Sequence, residues 1–237
     1  MSSEAPGLHN LGYVQRYERI LAENLPPSFA QFADFFAGTQ RLHTLAAMFD
    51  RHLKSKDLHV LNVGSGPFAT EIFIEAMQGQ MITALDYTPE FAPFYTLFQQ
   101  DGHLKTTRFL QADIMTQEFA PASFDLIILH DILYEKALDM NAVITRLGTY
   151  LKPGGLVFLD FVNLRTGWVW TMLGKPNRFR RYDPRNVRRF LEQAGFDVID
   201  WRPTHGSKSI SARTLHATLR LFGASNNYAV LARYKGR

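Results

Sequence analysis

The apolar positions of the chain change period near residue 58. Before it they recur at helical spacing. Tyr13, Tyr17, Ile20 and Leu21 fall on one helical face, and Phe29, Phe32, Phe36, Leu42, Leu45 and Phe49 mark a second helical stretch from Ser28 to Leu53. Pro26 and Pro27 separate the two, because proline lacks the amide donor and restricts its predecessor. From Leu58 short apolar runs alternate with amphipathic segments. HVLNV (59–63), MITAL (81–85), TRFLQA (107–112), FDLIIL (124–129), GLVFLDF (155–161), FDVIDW (196–201) and NYAVLARY (227–234) read as strands. ATEIFIEAM (69–77), Pro89 to Gln100, Asn141 to Leu151 and Asp183 to Ala194 read as helices, and Lys152-Pro153-Gly154-Gly155 as a turn between helix and strand. Strands alternating with helices predict an α/β fold with parallel core strands. The uninterrupted run Leu126–Leu129 predicts a strand covered on both faces. Residues 1–57 are expected to form a helical cap and residues 58–237 the main domain, together one compact unit.

Composition narrows the class. The chain has 237 residues, 46% hydrophobic, with 19 Phe, 9 Tyr and 3 Trp, so it carries enough apolar surface to fold. It has no cysteine, which excludes disulfide scaffolds, thiolate metal sites and thiol nucleophiles. No apolar run approaches the ~20 residues of a membrane span. MSSEAPGLHN lacks the charged and apolar regions of a signal peptide, and a cytoplasmic protein is expected. The net charge of +4 is unevenly spread: residues 1–164 carry −7 and residues 165–237 carry +11. That asymmetry is either an anionic partner's footprint or a solvated basic face.

Three constellations carry chemistry. In Val60-Leu61-Asn62-Val63-Gly64-Ser65-Gly66-Pro67 a strand runs into a glycine turn and a helix, which presents free N–H groups to a ligand. Asp86 ends the next strand, 22 residues after Gly64, where an acid can accept both hydroxyls of a ribose; its other reading is a helix cap beside Thr88-Pro89. His130, Asp131, Tyr134 and Glu135 follow the apolar strand at the sheet edge where α/β proteins hold ligands. An imidazole there can take a proton, and Asp131 can orient it; alternatively His130 only lines a cofactor shell and Asp131 caps a helix.

With these residues in place, the sequence resembles the class I S-adenosylmethionine-dependent methyltransferases. VLNVGSGP resembles the first motif of the family, ALDY the second and QADI (111–114) the third. FDLIILH (124–130) resembles the fourth, YLKPGGL (150–156) the turn after it, and YDP (182–184) through QAGFDV (193–198) the late helix. The resemblance spans about Leu58 to Trp201 and the last strand. It implies a doubly wound, mostly parallel seven-stranded sheet closed by a C-terminal antiparallel hairpin, with Arg202 to Asn226 inserted in the hairpin and a helical piece near Thr214 to Leu221. It also implies S-adenosylmethionine as cofactor. Asn62, Gly64, Ser65 and Gly66 would lie against it, Asp86 and Tyr87 at the ribose, Asp113 and Ile114 at the adenine, and Tyr17 and His130 along the rest of the pocket. Two positions depart from the family pattern. Asn62 stands where an acid is usual, and Phe68 replaces the usual third glycine; the first offers no charge to an ammonium, the second narrows the freedom of the turn.

The resemblance implies an O- or N-methyltransferase acting on a small organic molecule, aromatic or anionic, with His130, Asp131 and Tyr134 as the candidate catalytic groups and no metal. The acceptor would enter between the N-terminal helices, His130–Tyr134 and the segment of Trp168, Trp170, Met172 and Leu173. The basic segment 165–189, with Phe179, Arg180, Arg181 and Tyr182, makes an RNA or protein methyltransferase the alternative, and Asn62 with Phe68 a catalytically silent cofactor-binding subunit. A nicotinamide oxidoreductase is the remaining reading; that class lacks the closing hairpin. Nucleic acid is the less favoured partner, and no membrane span is expected.

Overall fold

The computed structural model describes residues 11–32, 39–53, 57–76, 80–134, 138–168, 180–204, 214, 217–219 and 225–236. Glu135, Trp170, Met172, Leu173 and Phe179, and most of the stretch from Thr214 to Leu221, lie outside them.

Strands β1 (His59–Val63), β2 (Met81–Asp86), β3 (Thr107–Gln111), β4 (Phe124–Leu129), β5 (Leu151–Val162), β6 (Phe196–Thr204) and β7 (Asn227–Tyr234) form one sheet in the order β3-β2-β1-β4-β5-β7-β6. The first five pair in parallel, while β7 runs antiparallel to both β5 and β6. The closing hairpin is therefore present. The helices are α1 (Leu11–Asn24), α2 (Thr39–His52), α3 (Ala69–Ala76), α4 (Ala92–Gln100), α5 (Met140–Gly148) and α6 (Pro184–Gln193).

The alternation of strand residues sorts the core onto two faces. Val60, Ile82, Leu126, Ile128 and Phe158 meet Leu45, Met48 and Phe49 of α2 and Phe73 and Ile74 of α3. Leu61, Val63, Ile127, Leu129, Val157 and Leu159 meet Val143, Ile144 and Leu147 of α5 and Val187 and Leu191 of α6. A third cluster joins Tyr17 and Leu21 of α1 to Phe68, Phe94 and Phe98, with Tyr17 stacked on Phe98. Both sheet faces are thus covered, as the apolar run of β4 predicts. The side chain of His52 on α2 also meets Asp200 of β6 at 3.0 Å, so α2 is anchored to the sheet by a polar contact as well.

Two elements differ from expectation. Among the described residues of the stretch Ser28 to Leu53, the first form a 3-10 turn, Pro27–Phe32, in place of α-helix, and Thr39–His52 form α2; Phe36 lies outside the described residues. Lys152–Gly155 does not end before its strand. Phe124 pairs with Leu151 and Leu126 with Leu156, so the segment bulges within β5, and Gly154 takes φ +81° there. A bulge accommodates extra residues on one strand of a ladder and uses the same glycine chemistry as a turn, which is why the two look alike in sequence.

Candidate functional site

The sheet order reverses between β1 and β4. Their neighbours lie on opposite sides, so the loops leaving their carboxyl ends part and leave a crevice. The glycine turn after β1 and the residues after β4 flank it.

Gly64 takes φ +75°, and a Cβ there would sit 2.5 Å from Ile132 Cδ1. Glycine is required twice, for the backbone and for the close approach of the β4 loop. The Gly64 and Ser65 N–H groups donate to the Leu85 carbonyl, tying the turn to the end of β2. Gly66, at φ +52°, donates its N–H to Asp86 Oδ2 at 2.8 Å; Thr88 N–H donates to Oδ1 at 2.8 Å. The Asp86 carboxylate is buried. Its bond to Thr88 is a local turn rather than a helix cap, since the Thr88 side chain makes no cap bond either. Tyr87, 70% exposed, stands at the rim.

Phe68 holds φ +64°, the left-handed conformation of a glycine. The turn thus keeps its path without the glycine. The cost is offset by the ring, which is fully buried and meets Phe109 at 5.1 Å and Tyr95 at 5.7 Å between centroids.

Asn62 and Ser65 are buried. Asn62 Nδ2 donates to Glu71 Oε1 of α3 at 2.6 Å, and Glu71 is 0% exposed. Burial, and to a lesser degree the nearby Asp86 and Glu75 carboxylates, push the Glu71 carboxyl up to about 8. Asn62 Oδ1, Ser65 Oγ, Glu71 Oε2 and Tyr17 Oη are all buried without a hydrogen-bond partner. Burial, with the carboxylates of Glu71 and Glu18, also raises the Tyr17 phenol well above its usual range. Tyr17 on α1 therefore stands within electrostatic reach of Glu71. At the other end Asp113 accepts Met115 N–H through Oδ1 at 2.8 Å, while Ile114 is buried beside it.

Across the crevice, His130 Nδ1 lies 3.0 Å from Thr70 Oγ1, and its Nε2 3.8 Å from Asp160 Oδ2. In the tautomer with Nδ1 donating to the Thr70 hydroxyl, Nε2, which makes no hydrogen bond, is the basic nitrogen beside Asp160. Burial lowers the His130 pKa below its usual value, so the ring is neutral at pH 7; burial raises that of Asp160. Asp160 Oδ1 accepts the Asp131 N–H at 2.6 Å, and Asp131, at φ +61°, pairs with Arg41 of α2. Asp131 thus caps no helix; Asp139 caps α5 by accepting the Ala142 N–H. Tyr134 lies in the same loop, its carbonyl accepting the Arg180 N–H. The Arg180 guanidinium reaches the Leu138 carbonyl and Asp139, so this arginine braces the loop. Arg181 packs against Gly167, its Nε buried without an acceptor, and Trp168 is 63% exposed.

The structure therefore brings Asn62, Gly64, Ser65, Gly66 and Asp86 together, with Tyr17 within electrostatic reach of Glu71 beside Asn62, and His130 and Asp131 opposite. Sequence reasoning missed Thr70, Glu71, Asp160 and Arg41. Two had a signal: Glu71 is an acid on the buried face of an apolar helix, and Asp160 a lone acid in the apolar run GLVFLDF.

A glycine turn, an acid on the next strand and a crevice at the sheet reversal define a nucleotide-binding site of the α/β class. Residues 54–195 match the family profile described as methyltransferase domain, and the chain belongs to that family. With its seven-stranded order and closing hairpin it is a class I S-adenosylmethionine-dependent methyltransferase. No curated protein matches the sequence. Among solved structures it is similar to magnesium protoporphyrin IX methyltransferase from Synechocystis with bound S-adenosylhomocysteine (18% identity, 95% of this chain and 94% of that one, TM-score 0.63). It is similar to 1,6-didemethyltoxoflavin-N1-methyltransferase of Burkholderia thailandensis, solved with bound 1,6-didemethyltoxoflavin and S-adenosylhomocysteine (16% identity, 99% of this chain and 93% of that one, TM-score 0.62). It is also similar to a Haloferax volcanii complex with the Trm112 methyltransferase activator (16% identity, 88% and 96%, TM-score 0.69). At these identities the likeness is one of fold.

Proposed function

We propose that the protein transfers a methyl group from S-adenosylmethionine to an oxygen or nitrogen of a small organic molecule in the cytoplasm. The observation that carries the reading is the Asp86 carboxylate, buried at the carboxyl end of β2 and oriented by the Gly66 and Thr88 amides. The residues fit the cofactor. A carboxylate has about four acceptor positions, so the two backbone bonds leave room for two ribose hydroxyls. The buried atoms Asn62 Oδ1 and Ser65 Oγ, on and just after β1, have no hydrogen-bond partner and would suit the methionine group of the cofactor. Tyr17 would cover that group, Tyr87 flank the ribose, and Asp113 and Ile114 receive the adenine. When bound, the cofactor supplies a methyl group on a sulfonium, open to in-line displacement.

His130 is the group we assign to the acceptor's proton. Asp160 stands behind Nε2 to stabilise an imidazolium, and Thr70 connects to Nδ1. Asp131, held by Arg41, fixes the loop that carries Tyr134 along the acceptor side. Much of the proposed rate effect is placement, which needs no strong base.

A small acceptor is supported by the arginines of the basic third, several of which are already engaged. Arg165 pairs with Asp183, Arg180 with the 138–139 backbone and side chain, Arg188 with the Trp201 ring and Arg202 with Asp200. Two of the structural neighbours are named for small acceptors, a porphyrin and a toxoflavin precursor. Methyl transfer from labelled S-adenosylmethionine across a panel of small phenols, amines and carboxylates tests the reading. Labelling confined to RNA or protein would replace it.

A further inference from the structure

The buried pocket at the glycine turn holds an acid that family patterning does not provide. Asn62 occupies the position on β1 where the acid is usual, and it is bonded to Glu71 one helical turn into α3. A carboxyl group is thus supplied beside Asn62 from α3. Glu71 Oε2, an acceptor once the carboxyl ionises, and Asn62 Oδ1 are both fully buried and both without a hydrogen-bond partner among the described residues. Ser65 Oγ, in the turn after β1, and Tyr17 Oη, within electrostatic reach of Glu71, are also buried without a partner. A ligand group with several N–H donors and a positive charge matches this set; an ammonium has three.

We propose that Glu71 is the acid that receives the ammonium of the cofactor's methionine end, and that it gives up its proton to solvent as the cofactor binds. The proposal rests on the reading that S-adenosylmethionine occupies the crevice. In the empty pocket burial keeps the carboxyl protonated at neutral pH. Asp86 at the end of β2 and Glu75 on α3 add repulsion, Asn62 on β1 donates to one oxygen, and Tyr17 on α1 presents a neutral hydroxyl. No cation stands among the groups acting on it. An ammonium set against Oε2 favours the carboxylate, so the O–H bond breaks and an ion pair forms. The position near the amino end of α3 favours the same charge. A merely structural Glu71 would stay protonated and only tie α3 to β1.

The test is calorimetric titration of S-adenosylhomocysteine, and of 5′-methylthioadenosine, which lacks the amino-acid end, into the full chain. Wild type and Glu71→Gln are compared between about pH 6 and about pH 8, each in two buffers of different ionisation enthalpy. For wild type, affinity for S-adenosylhomocysteine should rise as pH rises, by up to about tenfold per unit, with close to one proton released. Methylthioadenosine should show neither effect. Glu71→Gln keeps the shape and the Asn62 contact; it should bind S-adenosylhomocysteine about tenfold or more weakly at pH 8, with a flat pH profile, and methylthioadenosine as before. Wild-type affinity and pH profile in Glu71→Gln, or equal proton release with methylthioadenosine, would overturn the proposal while leaving the cofactor reading intact. Proton release is read on wild type alone, so it remains decisive if the variant folds poorly. Binding of neither compound to wild type would overturn the cofactor reading and this proposal with it.

Discussion

Replacing Phe68 tests whether the glycine turn is held by its backbone or by its ring. The residue combines a left-handed backbone, φ +64°, with a side chain that is fully buried against Phe109 and Tyr95. The two features act in opposite directions. A non-glycine residue in this conformation costs about 1–2 kcal/mol, while deleting a buried phenylalanine ring costs about 3–5 kcal/mol. Phe68→Gly recovers the first and forfeits the second, so it should destabilise by about 2–3 kcal/mol. Phe68→Ala loses the ring and retains the strain, so it should be the less stable variant by about 1 kcal/mol. The order wild type, then Gly, then Ala reverses the usual preference of alanine over glycine in regular structure. Urea denaturation with comparable slopes measures all three. A Phe68→Gly protein as stable as wild type would refute the claim that the ring supports the turn. An alanine variant at least as stable as the glycine variant would refute the claim of strain.

Four further outcomes follow from the site. Glu71 has a folded pKa of about 8 against an ordinary 4.5. The folded state therefore holds that proton longer, and its contribution is complete below about pH 4.5 and lost as pH rises towards 8. Relative to wild type, Glu71→Gln should gain stability between those values, by a few kcal/mol at most; a pH-independent difference in urea unfolding would contradict this. His130→Ala should lower saturated turnover by ~10²–10⁴-fold with cofactor affinity nearly intact, measured by steady-state kinetics beside calorimetry; unchanged turnover would remove His130 from the chemistry. Because burial lowers the His130 pKa, its basic form should persist below pH 6.5, and a wild-type rate that falls with a midpoint above 6.5 would argue for another titrating group. Arg180→Ala should destabilise the fold by about 1 kcal/mol through loss of the loop brace, whereas Arg181→Glu should weaken an anionic acceptor and leave S-adenosylhomocysteine binding unchanged. Equal effects of the two would deny the distinction.

The fold was largely legible because hydrophobic period and chain order were both clear. β4 and β7 have the bounds that their apolar runs predict, and the closing hairpin follows from β6 and β7. The elements that departed did so where one residue type serves two structures. Gly154 marks a bulge as readily as a turn, and the apolar spacing that reads as a helix from Ser28 includes a 3-10 turn over Pro27–Phe32. The cluster of Gly64, Gly66 and Asp86 was legible because these residues lie on a strand–turn–helix path and its neighbour strand. Arg41 and Asp160 were not, because they reach Asp131 from elements far apart in sequence. The contact between Asn62 and Glu71 was hidden for a related reason: a motif read along the chain does not reveal an acid that reaches it from the following helix.

The central claim is that Asp86 holds the ribose of S-adenosylmethionine, and calorimetric titration of S-adenosylhomocysteine into wild type and Asp86→Ala tests it most directly. Each hydroxyl bond to a carboxylate is worth roughly 1.5–3 kcal/mol gross. The account predicts clear binding to wild type and a loss of at least about tenfold in a variant whose circular dichroism spectrum is unchanged. Affinity within about threefold of wild type, roughly 0.65 kcal/mol, would contradict it.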